Sequence, residues 1–216
     1  MQQAGNLFEP RRLMSFSLLS AQLSQLVSAS ALAGSLALGA PAYVHADASL
    51  SSVSATIHRL DAPVVGRFTR FDAQIAFNPA HPNRARAQLS IDTTSYDLGE
   101  SDANARARGK NWLDSAEYPS ANFVSTSFVP AGGDRYSMTG RLTIRGRTQD
   151  VVVPVHLSND SGSRVFDGSL PVKRLRFGIG KDAPAPEAAA IGDDVVIQFH
   201  LVVPGQRSPA RDSAAQ

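Results

Sequence analysis

RARAQLSIDTT, residues 84–94, decides the fold. Ala85, Ala87, Leu89 and Ile91 fall on one side at a period of two, and Arg84, Arg86, Gln88, Ser90 and Asp92 fall on the other. That alternation is the signature of a strand with one face in a core and one in water.

The same period runs outward in both directions. Upstream, Ser52 to Arg59 places Val53, Ala55 and Ile57 together, and after Asp61-Ala62-Pro63 the stretch Val64 to Phe77 aligns Phe71, Ala73, Ile75 and Phe77, with Gly66 as a bulge or bend. Downstream, strands are expected at Ala121 to Val129, Arg135 to Gly146, Thr148 to Ser158, Arg164 to Lys173 and Asp194 to Pro204, with Gly146 supplying the positive φ of a hairpin. About eight short strands close a barrel wide enough to hold one small ligand. The expected fold is therefore all-β, either a sandwich or an eight-stranded antiparallel barrel.

The pattern stops in one place. Between strands 3 and 4, Gly99 to Lys110 is polar and rich in Ala and Arg, and it leads into Asn111-Trp112-Leu113-Asp114 and Glu117-Tyr118-Pro119. Ser101 or Asp102 is expected to cap a short helix running to about Lys110, which acts as a lid anchored by Trp112 and Leu113. A second irregular stretch, Lys181 to Asp193, is expected to be a mouth loop without helix or strand.

The N-terminus carries a different signal. Arg11-Arg12 precedes a Leu-, Ala- and Ser-rich run from Leu13 to Leu38, followed by Val44-His45-Ala46, a small-x-small pattern. Residues 1–46 read as a secretory signal peptide; an uncleaved anchor and a twin-arginine signal are the other two readings. The barrel domain is then expected over 47–204, with a disordered tail over 205–216.

Composition narrows the chemistry. The chain has 21 basic and 19 acidic residues, and setting aside Arg11, Arg12 and Glu9 leaves the rest near neutral, unlike a nucleic-acid binder. It has no Cys, which removes disulfides, thiolate metal sites and thiol catalysis. His58, His156 and His200 fall on separate strands with no short metal-ligand spacing, and no Gly-x-Ser-x-Gly elbow is present. Paired carboxylates such as Asp193-Asp194, or Asp114 with Glu117, sit in expected loops where solvated charge accounts for them.

What remains is the inner face. Phe71, Ile75, Leu89, Ile91, Phe123, Leu142, Ile144, Val153, Val155 and Phe177 point inward on the period-two reading, and they form either a plain core or the wall of a pocket. Small Ala73, Ala87 and Gly140 among them would leave room for a chain. Arg108, Lys110 and Trp112 on the lid are placed to meet a polar head group, or else to be a solvated helix face with Trp112 as a staple. An enzyme on the barrel, or a filled barrel with an interacting surface, are the alternatives to a binding pocket.

The order of motifs resembles the YceI family of exported, lipocalin-like lipid-binding proteins. The matching stretches include Ser51-Ser52-Val53, Gly66-Arg67-Phe68, Phe77-Asn78-Pro79, Ile91-Asp92-Thr93, Arg108 to Asp114, Tyr118-Pro119, Thr139 to Gly146 and Phe177-Gly178-Ile179-Gly180. The resemblance implies a lipocalin-like barrel whose pocket takes a polyisoprenoid chain, such as that of an isoprenoid quinone, in the periplasm of a Gram-negative bacterium. It also implies a b561-type membrane cytochrome as a partner. Two departures, Ala105 and Ala107 around Arg106 and the absence of an aromatic at Pro184-Ala185-Pro186, imply a looser mouth.

Overall fold

The computed structural model describes residues 42–205. The expected leader as far as 41, and the tail over 206–216, lie outside the described residues. Eleven strands follow in chain order: β1 (Val44–His45), β2 (Ser52–Arg59), β3 (Ala62–Phe68), β4 (Phe71–Ala76), β5 (Arg86–Asp92), β6 (Tyr96–Asp97), β7 (Ser120–Pro130), β8 (Arg135–Ile144), β9 (Arg147–Asp160), β10 (Ser163–Lys173) and β11 (Ile191–Pro204). Two helices, α1 (Ser101–Arg108) and α2 (Ala185–Ala190), interrupt them.

The strands form one curled antiparallel sheet in the order β1-β4-β5-β7-β8-β9-β10-β11-β2-β3-β6. Eleven replace the expected eight for two reasons. The single strand expected over Val64 to Phe77 breaks at Thr69-Arg70 into β3 and β4, and β1 and β6 are two-residue pairings too short for periodicity to reveal. The break has a structural use: β3 pairs with β2 while β4 pairs with β5, so the two halves of one chain segment stand near opposite ends of the sheet order. The covalent link between them draws the sheet into a barrel.

Ser95 supports that corner. Its backbone carbonyl accepts from Thr69 N at 3.3 Å and its hydroxyl accepts from Arg70 N at 3.1 Å, while the same hydroxyl donates to Asp92 O at 2.6 Å. Ser95 is buried. A bend in a strand strips ladder partners from the backbone; here the carbonyl and the hydroxyl of one residue replace them.

The tight hairpins follow from positive φ. Arg145-Gly146 joins β8 to β9 with φ of 50° and 69°, and Ser161-Gly162 joins β9 to β10 with 48° and 84°, the two-residue geometry that matches strand twist. Strand β2 turns into β3 through Leu60-Asp61, also at positive φ.

Inside the barrel, aromatic rings lie on glycine. A Cβ on Gly66 would collide with the Tyr96 ring, one on Gly168 with the Phe199 ring, and one on Gly140 with Phe123 and, at 2.7 Å, with the Val124 carbonyl oxygen. Gly140 therefore leaves no room for a ligand chain, contrary to the expectation from sequence: Phe123 fills the space. Gly66 is likewise no bulge, since β2 and β3 stay in register across it, with Ala55 opposite. At one end of the barrel Phe77 makes edge contacts with Phe128, Tyr136 and Phe166, each at 5.7 Å between ring centres, and forms a floor.

Two predictions arise from this packing. Gly140→Val, which pushes a branched side chain into Phe123 and the Val124 carbonyl, is expected to lower stability by about 2–3 kcal/mol in denaturant titration. Tyr96 is 6% exposed, and burial pushes its phenol up to about 12 from 10.0. The folded chain holds that proton more tightly than the unfolded chain, so this contribution is complete below pH 10 and is lost as pH rises toward 12. Tyr96→Phe is expected to flatten the alkaline decline by roughly 2–3 kcal/mol when unfolding is followed from pH 9 to 12.

Candidate functional site

Opposite the aromatic floor, the barrel holds a cavity of about 810 Å³. Its wall takes residues from every strand but β1, among them Ile57 of β2, Phe68 of β3, Ile75 of β4, Leu89 and Ile91 of β5, Phe123 of β7, Leu142 and Ile144 of β8, Val153 and Val155 of β9, Leu170 and Val172 of β10, and Ile197 and Phe199 of β11. Strand alternation puts all of these on one face. Phe128 and Phe166 lie at the floor, and Trp112, Leu113 and Phe177 sit toward the lid end.

Of the residues singled out from sequence, Ile75, Leu89, Ile91, Trp112, Phe123, Leu142, Ile144, Val153 and Phe177 line the cavity, and Phe71 and Arg108 do not. Phe71 starts β4 immediately after the corner and packs, half-buried, against the core. Arg108 serves the lid instead of a ligand: its Nε and Nη2 both donate to the Tyr96 carbonyl, at 3.0 and 2.6 Å.

The lid differs from its expected form at the first turn. Glu100 occupies the N-cap position without a side-chain bond, and Ser101 is already helical. Asn104 takes over the fixing of this end, accepting from Leu98 N at 2.6 Å and donating to Asp97 Oδ1 at 2.7 Å. Ala103 and Ala107, one turn apart, present the cavity-facing side of α1, with Arg106 beside them. Their small size keeps the helix close to the opening. Ala105 is exposed and does not line it.

The second mouth segment contains a helix, contrary to expectation. Ala185–Ala190 forms α2 with proline in its first turn, where the missing N–H costs nothing, followed by a run of alanines. Strand β11 starts at Ile191 in place of the expected Asp194. Pro186, Glu187 and Ala190 face the cavity.

Trp112 and Arg174 join the two mouth segments. Trp112 Nε1 donates to Glu187 Oε1 at 2.9 Å, and its ring lies under the Arg174 guanidinium at 5.3 Å. Arg174, 5% exposed, donates to four backbone carbonyls: Gly192 at 3.0 Å, Ile179 at 2.8 Å, Ala188 at 3.0 Å and Ile191 at 2.8 Å. Burial pulls its guanidinium below the ordinary arginine value, and Asp193 offsets part of that. Gly180 permits the arrangement, since a Cβ there would meet Arg174 Nη1 at 2.5 Å and Trp112 at 2.7 Å. Sequence reasoning missed Arg174, which looks like any loop arginine after a strand; nothing in its neighbours marks it as buried.

Charge at the mouth is mixed. Arg59, Arg106 and Arg174 line it together with Glu100 and Glu187. Among the described residues, no three His, Cys, Asp or Glu side chains come together in a metal-holding group. His200 pairs with Asp167 at 2.7 Å away from the cavity lining. The arrangement can enclose an apolar chain and meet a polar end with guanidinium and carboxylate groups at the rim.

Comparison with known proteins gives a consistent family. The model of the YceI-like domain matches residues 45–203. A UPF0312 protein of Shewanella denitrificans is 31% identical over 141 residues, which is 62% of this chain and 73% of that protein, and one of Shewanella putrefaciens is 26% identical over 82% of this chain and 95% of its own length. Among solved structures, Burkholderia cenocepacia BcnA superposes with a TM-score of 0.69 at 40% identity, covering 73% of this chain and 98% of BcnA. A polyisoprenoid binding domain from Saccharophagus degradans, 18% identical, shares the fold with a TM-score of 0.62, covering 76% of this chain and 98% of that domain. A match over this much of the chain, by sequence and by fold together, means that it belongs to the YceI-like domain family.

Proposed function

We propose that this chain is an exported binding protein that holds an amphiphile with a long apolar tail, of the polyisoprenoid or isoprenoid-quinone type. One observation carries the reading: a cavity of about 810 Å³ walled mainly by aliphatic and aromatic side chains, with Arg59, Glu100, Arg106, Arg174 and Glu187 at its mouth. The Saccharophagus degradans domain of the same fold, described as polyisoprenoid-binding, supports the ligand class.

The physics suits a tail. Each buried CH₂ contributes roughly 0.8 kcal/mol, so ten carbons in the cavity give about 8 kcal/mol before ordering costs are subtracted. No covalent or ionic anchor is needed. The rim arginines and carboxylates then orient a polar end without fixing its identity. Binding, and not catalysis, is the activity proposed, because the lining offers no nucleophile paired with a base. The signal-like pattern ahead of the barrel supports export, which in this reading makes the carrier a periplasmic protein of a Gram-negative cell, and a quinone occupant would make a b561-type membrane cytochrome its partner.

Organic extraction of protein purified from its native host, followed by mass spectrometry, is expected to release an amphiphile with a long hydrocarbon tail. An empty extract, combined with no binding of added ubiquinone or polyprenol, would overturn the proposal. Trp112→Ala removes both the bond to Glu187 and the ring under Arg174, and ligand release is expected to quicken by on the order of tenfold in stopped-flow displacement. Trp112→Phe, which keeps a ring, should fall between the two.

A further inference from the structure

The first described residues close the barrel at its floor. Strand β1 pairs antiparallel with β4, Val44 opposite Ile75 and His45 opposite Gln74. Ala46 N then donates to Ala73 O at 2.8 Å, and Asp47 N donates across to Val202 O of β11 at 2.7 Å. One short segment thus bridges the two strands that β3 leaves apart at this end.

Side chains hold it there as well. Val44 and Ala46 pack against the apolar core. His45 Nδ1 lies 2.7 Å from Asp72 Oδ1, and Gln88 Nε2 donates to the Tyr43 hydroxyl at 3.3 Å. These contacts belong to residues that removal of 1–46 would discard. A barrel starting at Asp47 would present the edge of β4 at Gln74 and Ile75 unpaired, the kind of open edge that invites association with another chain.

We infer that, when the chain is exported, its leader is cut between Ala42 and Tyr43, so that Tyr43 to Ala46 remain in the mature protein as part of the barrel. The inference rests on the export half of the proposed function. It has a second support in sequence: Ala40-Pro41-Ala42 is a literal Ala-x-Ala motif directly after the apolar run, closer to the preferred small-residue pattern than Val44-His45-Ala46. A leader peptidase reads an extended chain, so both motifs are offered to it, and only the earlier cut preserves every strand. The step is hydrolysis: water breaks the Ala42–Tyr43 amide, leaving a carboxylate on Ala42 and a new ammonium on Tyr43.

The full chain expressed in a Gram-negative host, with its periplasmic fraction analysed by intact mass and N-terminal sequencing, is expected to begin at Tyr43. A mature protein beginning at Asp47 overturns the inference and leaves export standing. Uncut chain retained in the cytoplasm overturns the export reading and this inference with it. Independently, leaderless chains starting at Tyr43 and at Asp47 are compared by thermal unfolding. The shorter is expected to melt about 5 °C lower or more; equal midpoints would show that the segment closes nothing.

Discussion

A curled sheet has two edges, and everything about this barrel depends on how they are joined. Covalent continuity at Thr69-Arg70 does it at one place, because the same segment pairs with β2 before the bend and with β5 after it. The bend is possible because buried Ser95 replaces the missing ladder partners. At the floor the closure is non-covalent, through Val44 to Asp47. With both edges joined, inward side chains face one another across a space instead of across a second sheet, and a hollow becomes geometrically available.

Closure also explains why the mouth is built from backbone carbonyls and one buried arginine. Helix α1 has no fully buried residue and α2 has none either, so neither is fixed by its own apolar face. Arg174 ties three carbonyls of the second mouth segment, and that of Ile179 just before it, to the end of β10, and its guanidinium stacks on Trp112. A planar fork of donors spans several carbonyls where a lysine ammonium would not. Arg145 does similar work from the β8–β9 turn, donating to Lys110 O at 2.7 Å and to the Gly178 carbonyl. The lid is therefore held by directional bonds, which can open one at a time.

Much of this was legible in the sequence, and the exceptions have physical causes. Alternation located the long strands and their inward residues, such as Ile75, Leu89, Ile91, Leu142 and Val153 on the cavity wall, because period two is a local property of the chain. It could not reveal β1 and β6, which are strands only by virtue of a distant partner. The helix α2 was readable in principle from proline in the first turn followed by alanines, and was obscured by the general Ala/Pro content. Gly140 was misread because a missing side chain says nothing about whose ring takes the space; Phe123 lies on the neighbouring strand, opposite Leu142 in the ladder. Arg174 and Arg108 illustrate a further limit: an arginine that satisfies carbonyls and one that meets a ligand have the same local sequence.

The hollow itself sets a condition on the folded state. A sealed dry void costs about 24 cal/mol per Å³, so one of about 810 Å³ would cost on the order of 19 kcal/mol, more than the roughly 5–15 kcal/mol by which domains are stable. The barrel cannot hold it as vacuum. Either water enters through the polar rim, where it loses hydrogen bonds against the apolar wall, or an apolar chain fills the space and removes that wall from water. A chain that binds there adds to fold stability by mass action, by an amount set by its concentration relative to its dissociation constant. A lid held by separable hydrogen bonds meets the remaining requirement, since a ligand so enclosed needs a route in and out that leaves the closed barrel intact.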